Sequence, residues 1–431
     1  MRIVVFGAGS IGRSFVGQLF SRAGYSVVFV DVDRELVAAL NREGRYRIEI
    51  RDRKPETIWV EGVSAVDGRD TRAVAEELAA ADIAATAVGP HALPLIYPAI
   101  AAGLLLRRKA GAPSLDPSSA SGSSRVQSRD DSARGKPLDI IICENLRSAS
   151  DSFRDGLRQL LPAGFPLEKS VGLIETSIGK MVPIMPEEAR RQDPLLLYAE
   201  SYNTLILDAR AFRNPIPDVP GLDPKQNMAA YVDRKAFIHN CGHAACAYLG
   251  HLANPTWRYI WQAIGDKRVQ EITRSAMWES ARALNHRYPD EFTEANQHEH
   301  IEDLLSRFAN EALGDTIYRV GRDLPRKLSR GDRMIGALLM DAAEGVPAPF
   351  TTIATAAGFL FRATDDYGKM FPADRRFADD LGARGVDWAL AEVCGLRPDD
   401  PTDAAIAESI REAFSRLRHR GDDWLDRLLS A

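Results

Sequence analysis

With 431 residues, 45% of them hydrophobic and 27% charged, the chain has the make-up of a folded protein of two to three domains, which excludes a disordered or fibrous one. Fifty-five basic residues against 60 acidic ones leave a net charge of −5, so nucleic acid and anionic membrane find no overall electrostatic footprint. Cys143, Cys241, Cys246 and Cys394 form no CxxC pair, and neither a disulfide framework nor a zinc ribbon is expected.

The chain opens with a short buried β run at Ile3–Phe6. Only four apolar residues follow Met1-Arg2 before the glycines begin, too few for a signal-peptide core, and a cytoplasmic location is expected. Helical periodicity then runs to Gly24, a second β run covers Ser26–Val30 and ends at Asp31, and Arg34–Arg42 is again helical. Strand, helix, strand in that order predicts a parallel sheet. The stretch Ile83–Leu106 is apolar enough to suggest a membrane span. Gly89-Pro90, Pro94 and Pro98 interrupt it, each proline removing a helix donor, so it reads as a strand (Ile83–Val88), a turn and an apolar helix. Another strand is expected at Leu138–Cys143. Between them Arg107–Pro137 holds eight serines and seven basic residues with almost nothing apolar, a composition that does not offset its ordering entropy. It reads as a surface insertion.

After Asn214 the pattern changes. Asp223-Pro224 reads as an N-cap followed by a first-turn proline, and Lys225–Leu249, Trp257–His286 and His298–Glu311 are helical in pattern, with Thr402-Asp403 opening the last helix. The expected organisation is an α/β domain over 1–222, carrying the insertion 107–137, followed by a helical domain over 223–431.

Gly7-Ala8-Gly9-Ser10-Ile11-Gly12 fits GxGxxG directly after a strand and at a helix start, the fingerprint of a Rossmann dinucleotide site. Gly7 permits the turn, Gly9 lets a pyrophosphate approach the backbone, Gly12 allows close helix–strand packing, and the helix N-terminus favours the phosphates. Asp31 ends the second strand, where a carboxylate accepts from ribose hydroxyls and repels a 2′-phosphate, so NAD is favoured over NADP. A helix N-cap is the other role open to Asp31, and Asp33 fits that role equally. Gly89-Pro90 and Glu144-Asn145 follow later strands, and all four segments are expected on the strand-end edge where such sheets bind ligands.

The helix that opens the second half contains Lys235, Asn240 and His243. At about 100° per residue, Asn240 lies about 140° and His243 about 80° from Lys235. The neighbouring apolar residues predict burial, which lowers a lysine pKa and suits it to remove a hydroxyl proton. Asparagine amides can stabilise an alkoxide, and histidine can orient a substrate. Gly242 points to close approach by a ligand or another backbone. His239 and His243 lack a third ligand, and His298 and His300 are expected on a surface helix, so no metal is expected.

On these residues the chain resembles the long-chain polyol (mannitol) dehydrogenase family. The resemblance rests on Phe6–Phe15, on "TAVGP" at Thr86–Pro90, on "CEN" at Cys143–Asn145 and most of all on "RKAFIHNCGHA" at Arg234–Ala244, which carries Lys-x4-Asn-x2-His. It continues in Arg319–Arg333. The resemblance implies a Rossmann domain followed by a mostly helical one, metal-independent chemistry, Lys235 as general base, Asn145 and Asn240 as oxyanion donors and His243 as a substrate-positioning group. It also implies interconversion of mannitol 1-phosphate and fructose 6-phosphate with NAD, the phosphate taken by Arg326, Lys327 and Arg333, and Lys180, where the chain departs from the family motif, is expected as a further donor. Relatives acting on mannitol 1-phosphate carry Asp-Arg-Ile-Val-Pro where this chain has Gly179-Lys180-Met181-Val182-Pro183. A free polyol or a hexuronate therefore stays open as substrate, as does a non-catalytic NAD-binding sensor.

Overall fold

The computed structural model describes residues 1–52, 54–110, 135–144, 146, 148–183 and 185–430. They form two compact units, Met1–Met228 and Ala229–Ala431. The first is α/β and the second is helical throughout, the architecture expected from the sequence.

In the first unit β1 (Arg2–Phe6), β2 (Ser26–Asp31), β5 (Val63–Asp67), β6 (Ile83–Thr86), β7 (Leu138–Ile142) and β8 (Val171–Ile178) run parallel in the order β5-β2-β1-β6-β7-β8. The strand order reverses between β1 and β6, which makes the ends of those strands the switch point where such sheets take ligands. β10 (Leu205–Asp208) adds antiparallel to β8, and β11 (Leu222–Lys225) lies parallel to β10 at the sheet edge. β3 (Arg45–Ile50) joins β4 (Glu56–Glu61) and β9 (Leu197–Ala199) in a separate small sheet. The large sheet has a buried layer on each face, one built around Phe15, Phe20, Phe29 and Tyr46, the other around Phe6, Ile100, Phe153 and Leu157. This explains why its central strands are continuously apolar rather than alternating.

Several expectations change at the element level. Asp223 and Pro224 do not start a helix. They sit in β11, where Pro224 opposes Leu207, and an edge strand tolerates the missing proline N–H. The helix begins at Met228 and is not α-helical throughout: Met228–Arg234 and Cys241–Ala253 are joined by a π-helical turn, Lys235–Asn240. Arg107, expected at the start of the insertion, is buried near the end of helix Leu93–Ala110. Its guanidinium donates to the carbonyls of Ala81 (2.6 Å), Ala79 (3.2 Å) and Lys136 (2.7 Å), so it binds the ends of the insertion to the domain. Residues 111–134 of the insertion lie outside the described residues.

Near the C-terminus the expected final helix is the penultimate one. Helix Pro401–Arg418 is capped by Asp400, which accepts from Thr402 and Asp403 N–H, and Trp424–Ser430 follows it. Ile83–Leu106 is strand, turn and helix as read. Among the described residues no helix is long and apolar enough to cross a membrane. All four cysteines are buried free thiols.

Candidate active site

Two constellations carry the candidate chemistry, one in each unit. The first lies where β1, β2, β6 and β7 end. Gly7 adopts φ +92°, and a Cβ there would come within 2.4 Å of the Ala87 carbonyl oxygen. A Cβ at Gly12 would lie 1.9 Å from the Gly7 carbonyl oxygen, whereas one at Gly9 would meet nothing within 4 Å. The turn thus excludes side chains on its packed side and leaves the backbone open at Gly9. Ser10 and Ile11 begin the following helix, which widens into a π turn at Gly12–Gly17 before Gln18–Arg22.

Asp33 takes the N-cap role, accepting from Glu35 and Leu36 N–H at 3.0 and 3.1 Å. The Asp31 carboxylate is therefore not used as a cap. Its Oδ2 accepts from Ala8 N–H at 2.7 Å and its Oδ1 from Asp33 N–H at 3.0 Å, which ties the end of β2 to the glycine turn. Gly89 has φ +87° with open space where a Cβ would be, and Pro90 is exposed beside it. The expected strand Ile83–Val88 stops at Thr86 because Val88 and Gly89 turn their N–H groups to Glu144, at 3.0 and 2.8 Å. Burial raises the Glu144 carboxyl pKa, and those N–H donors oppose the shift. Glu144, expected on this edge together with Asn145, thus takes a role that the sequence alone does not assign, holding the turn after β6. Asn145 lies outside the described residues.

The second constellation is built on the helix that begins at Met228. Cys241 N–H reaches back to the Ala236 carbonyl, five residues earlier. A turn closed on the fifth residue stacks residue i+5 close to residue i, so the Lys235–Asn240 separation narrows from about 140° to roughly 60°, with His243 beside them. All three are half-buried. Burial, and then the nearby Arg333 charge, push the Lys235 ammonium down to about 8. His239 is buried and its pKa falls well below the usual imidazole range, from burial first and then Arg307.

The His243 ring stacks on Phe308 with centroids 4.6 Å apart and planes 8° from parallel. Burial, then Arg319 and Lys327, keep its pKa well below the usual range. The space beside Gly242 is filled by a side chain, not by a ligand or backbone: a Cβ there would lie 2.6 Å from Met277 Cγ and Sδ. His300 is not a plain surface residue. It is half-buried with its Nε2 enclosed, and burial pushes its imidazole down to about 3, while His298 is exposed. Among the described residues no group of three or more His, Cys, Asp or Glu side chains is arranged to hold a metal.

The basic segment is only partly open. Arg326 pairs with Asp323 and with Asp332 (2.5 and 3.1 Å), and Arg333 pairs with Asp332 at 2.8 Å. Lys327 is buried and donates to the Val320 carbonyl. Arg330 is held by the buried carboxylate of Asp403. In the first unit Lys180 is buried and donates to the Tyr202 carbonyl at 2.8 Å and to Asn203 Oδ1 at 3.2 Å.

The mannitol dehydrogenase Rossmann domain matches residues 1–117 and 123–221, and the mannitol dehydrogenase C-terminal domain matches residues 227–412. The chain belongs to the mannitol dehydrogenase family. It is thus an oxidoreductase of CH–OH groups. Among relatives of this family, the mannitol-1-phosphate 5-dehydrogenase of Brevibacillus brevis is 32% identical over 421 residues, 97% of this chain and 98% of that one. The fold is shared with the mannitol 2-dehydrogenase of Pseudomonas fluorescens, solved as a ternary complex with NAD and D-mannitol, at TM-score 0.71 and 17% identity over 100% of this chain and 94% of that one. A D-sorbitol dehydrogenase solved in substrate-free form has TM-score 0.73 at 16% identity over 98% and 94% of the two chains.

Proposed function

We propose that this member of the family is an NAD-dependent dehydrogenase that interconverts mannitol 1-phosphate and fructose 6-phosphate. The observation that carries the chemistry is Lys235, whose ammonium falls to about 8 inside a widened turn that also presents Asn240. A lysine in that range is a free amine in much of the enzyme at slightly alkaline pH, as a general base requires. In the proposed mechanism Lys235 Nζ takes the proton of the hydroxyl being oxidised. The amides of Asn240 and Asn145 donate to the developing alkoxide, and His243 orients the polyol. Bound NAD supplies the hydride acceptor.

The cofactor assignment rests on Gly7, Gly9, Ser10, Ile11 and Gly12, on Asp31, and on Gly89 and Pro90. The open space at Gly9, beside positions closed to a side chain, fits a pyrophosphate laid on the backbone. Asp31, relieved of capping by Asp33, suits a ribose and disfavours a 2′-phosphate. Full-length identity to a mannitol-1-phosphate 5-dehydrogenase supports the phosphorylated substrate, with Arg326, Lys327, Arg333 and Lys180 as its phosphate donors.

A second reading, a free polyol or a hexuronate, is favoured by one observation. Asp323 and Asp332 already hold Arg326 and Arg333, and the Lys327 ammonium is spent on a carbonyl. Steady-state rates with mannitol 1-phosphate, mannitol, sorbitol 6-phosphate and reduced hexuronates, each with NAD and NADP, separate the two. The expected result is NAD over NADP and mannitol 1-phosphate over mannitol, with Arg326→Ala raising KM for the phosphate ester alone. Faster turnover of free mannitol, or an Arg326→Ala effect equal on both substrates, favours the second reading.

A further inference from the structure

With its ring stacked on Phe308, His243 is held near one ring plane, which leaves mainly the 180° flip about Cβ–Cγ, and contacts at the ring edge decide between the two orientations. At that edge His243 Nε2 lies 3.6 Å from Asp315 Oδ2. Both atoms are buried, and neither has a hydrogen-bond partner among the described residues. The other oxygen of Asp315 accepts from the Arg319 guanidinium.

The backbone around Asp315 is fixed on both sides. Ile260 N–H donates to the Asp315 carbonyl at 2.9 Å and Ile317 N–H to the Arg258 carbonyl at 2.8 Å, flanking an isolated antiparallel bridge between Tyr259 and Thr316. Thr316 then caps the next helix by accepting from Arg319 N–H at 3.1 Å. The carboxylate is therefore a fixed, buried anion with one oxygen committed to Arg319 and the other turned to a ring nitrogen that has no hydrogen-bond partner among the described residues. A shift of under about 1 Å closes the gap to hydrogen-bond length, and closing it relieves two desolvated atoms at once.

We propose that Asp315 is a positioning residue for His243: its Oδ2 accepts the Nε2 proton, which fixes the imidazole as the neutral Nε2–H tautomer and leaves Nδ1 with a lone pair for a substrate hydroxyl. The hydrogen bond made at one ring nitrogen decides what the other can do. His243 retains 15% side-chain exposure, none of it at Nε2, so the ring meets its surroundings by its other atoms. Burial, and then the Arg319 charge that offsets Asp315, keep an acid beside the ring from turning it into an imidazolium. This inference rests on the proposed role of His243 in orienting the substrate.

The tautomer is read directly by ¹⁵N NMR on the unmutated full chain labelled at histidine, with the His243 signals assigned by their loss in His243→Gln. The expected pattern is a protonated Nε2 and a lone-pair Nδ1. A protonated Nδ1 overturns the proposal, and that reading needs no variant at Asp315 to fold. In Asp315→Asn the amide donates to Nε2, so the tautomer is expected to invert and kcat/KM to fall about 10–100-fold, the range for groups that orient a ligand from behind. An unchanged tautomer in Asp315→Asn, or kcat/KM within twofold, overturns it too. Combining Asp315→Asn with His243→Gln is expected to cost no more than His243→Gln alone, and additive losses contradict action through His243. Lys235→Ala, assayed in parallel, tests the catalytic site itself, so a failure there is distinguishable from a failure here.

Discussion

Lys235 is where local structure and chemistry meet. An exposed lysine stays protonated near neutral pH, but burial, reinforced by Arg333, lowers this ammonium to about 8. The sign of the pH effect follows. A base acts as the free amine, so polyol oxidation is expected to rise with pH through about 8 and then level off. Ketone reduction draws on the ammonium and is expected to fall over the same range. Lys235→Ala is expected to lower turnover roughly 10²–10⁴-fold and to remove that inflection while NADH binding stays near normal. Activity within a few-fold of the unmutated enzyme, with the inflection intact, would assign the base to another residue. Much of this was legible from sequence, because a lysine among Phe237, Ile238, Ala244 and Ala245 has to be enclosed. Asp315 was not, since nothing in its neighbourhood except an i,i+4 spacing to Arg319 marks it, and its meaning depends on a histidine far away in sequence.

At the scale of elements, patterns repeated over several residues were readable, and single departures from regular geometry were not. β1, β2, β6 and β7 showed as apolar runs because both faces of the sheet are covered. β3 carried a period-two signal, Arg-Tyr-Arg-Ile-Glu-Ile with alternate residues buried, which the reading passed over. Asp223-Pro224 resembles a helix start, but pairing with β10 competes with that local preference and wins at a sheet edge. The π turn at Lys235–Asn240 leaves the apolar pattern nearly unchanged, so a 3.6-residue period does not reveal it, yet it alters which residues share a face. Gly242, next to that turn, provides a test of packing. Gly→Ala within a helix gains about 1 kcal/mol of propensity, but here the methyl group would meet Met277 Cγ and Sδ at 2.6 Å, and overpacking costs about 1–3 kcal/mol. Gly242→Ala is therefore expected to lower stability by about 1 kcal/mol in urea unfolding. With Met277→Ala already in place, the same change is expected to stabilise by a similar amount. A destabilising Gly242→Ala in both backgrounds would show that Met277 is not what the glycine accommodates.

Over the whole molecule the acids and bases nearly cancel, so pH dependence of stability comes from a few buried groups and not from net charge. Most buried carboxylates have partners. Glu279 accepts from Phe350 N–H and from the Thr351 N–H and hydroxyl, Asp374 from Asp323 and Leu324 N–H, and Asp403 from Arg330. Asp341 differs. It is fully buried on helix Ile335–Ala343, with the Ser280 hydroxyl beside its carboxylate and no fully formed hydrogen bond to either oxygen among the described residues. Burial, and then the charge of Glu279, push its carboxyl from 3.8 up to about 8. Below the unfolded value both states hold the proton and the group costs nothing. As pH rises from there toward the folded value, the unfolded chain ionises while the folded one does not. Stability then declines by up to about 1.4 kcal/mol per pH unit and levels off above the folded pKa. Asp341→Asn keeps the shape and removes the ionisation. Its gain in stability is expected to be small at pH 5 and clearly larger at pH 8. Urea unfolding at the two pH values measures this, followed by tryptophan fluorescence, which reports mainly on Ala229–Ala431 because Trp257, Trp261, Trp278, Trp388 and Trp424 lie there. A gain equal at both pH values, or a loss that deepens at pH 8, would mean that Asp341 is already ionised and paired in the folded protein.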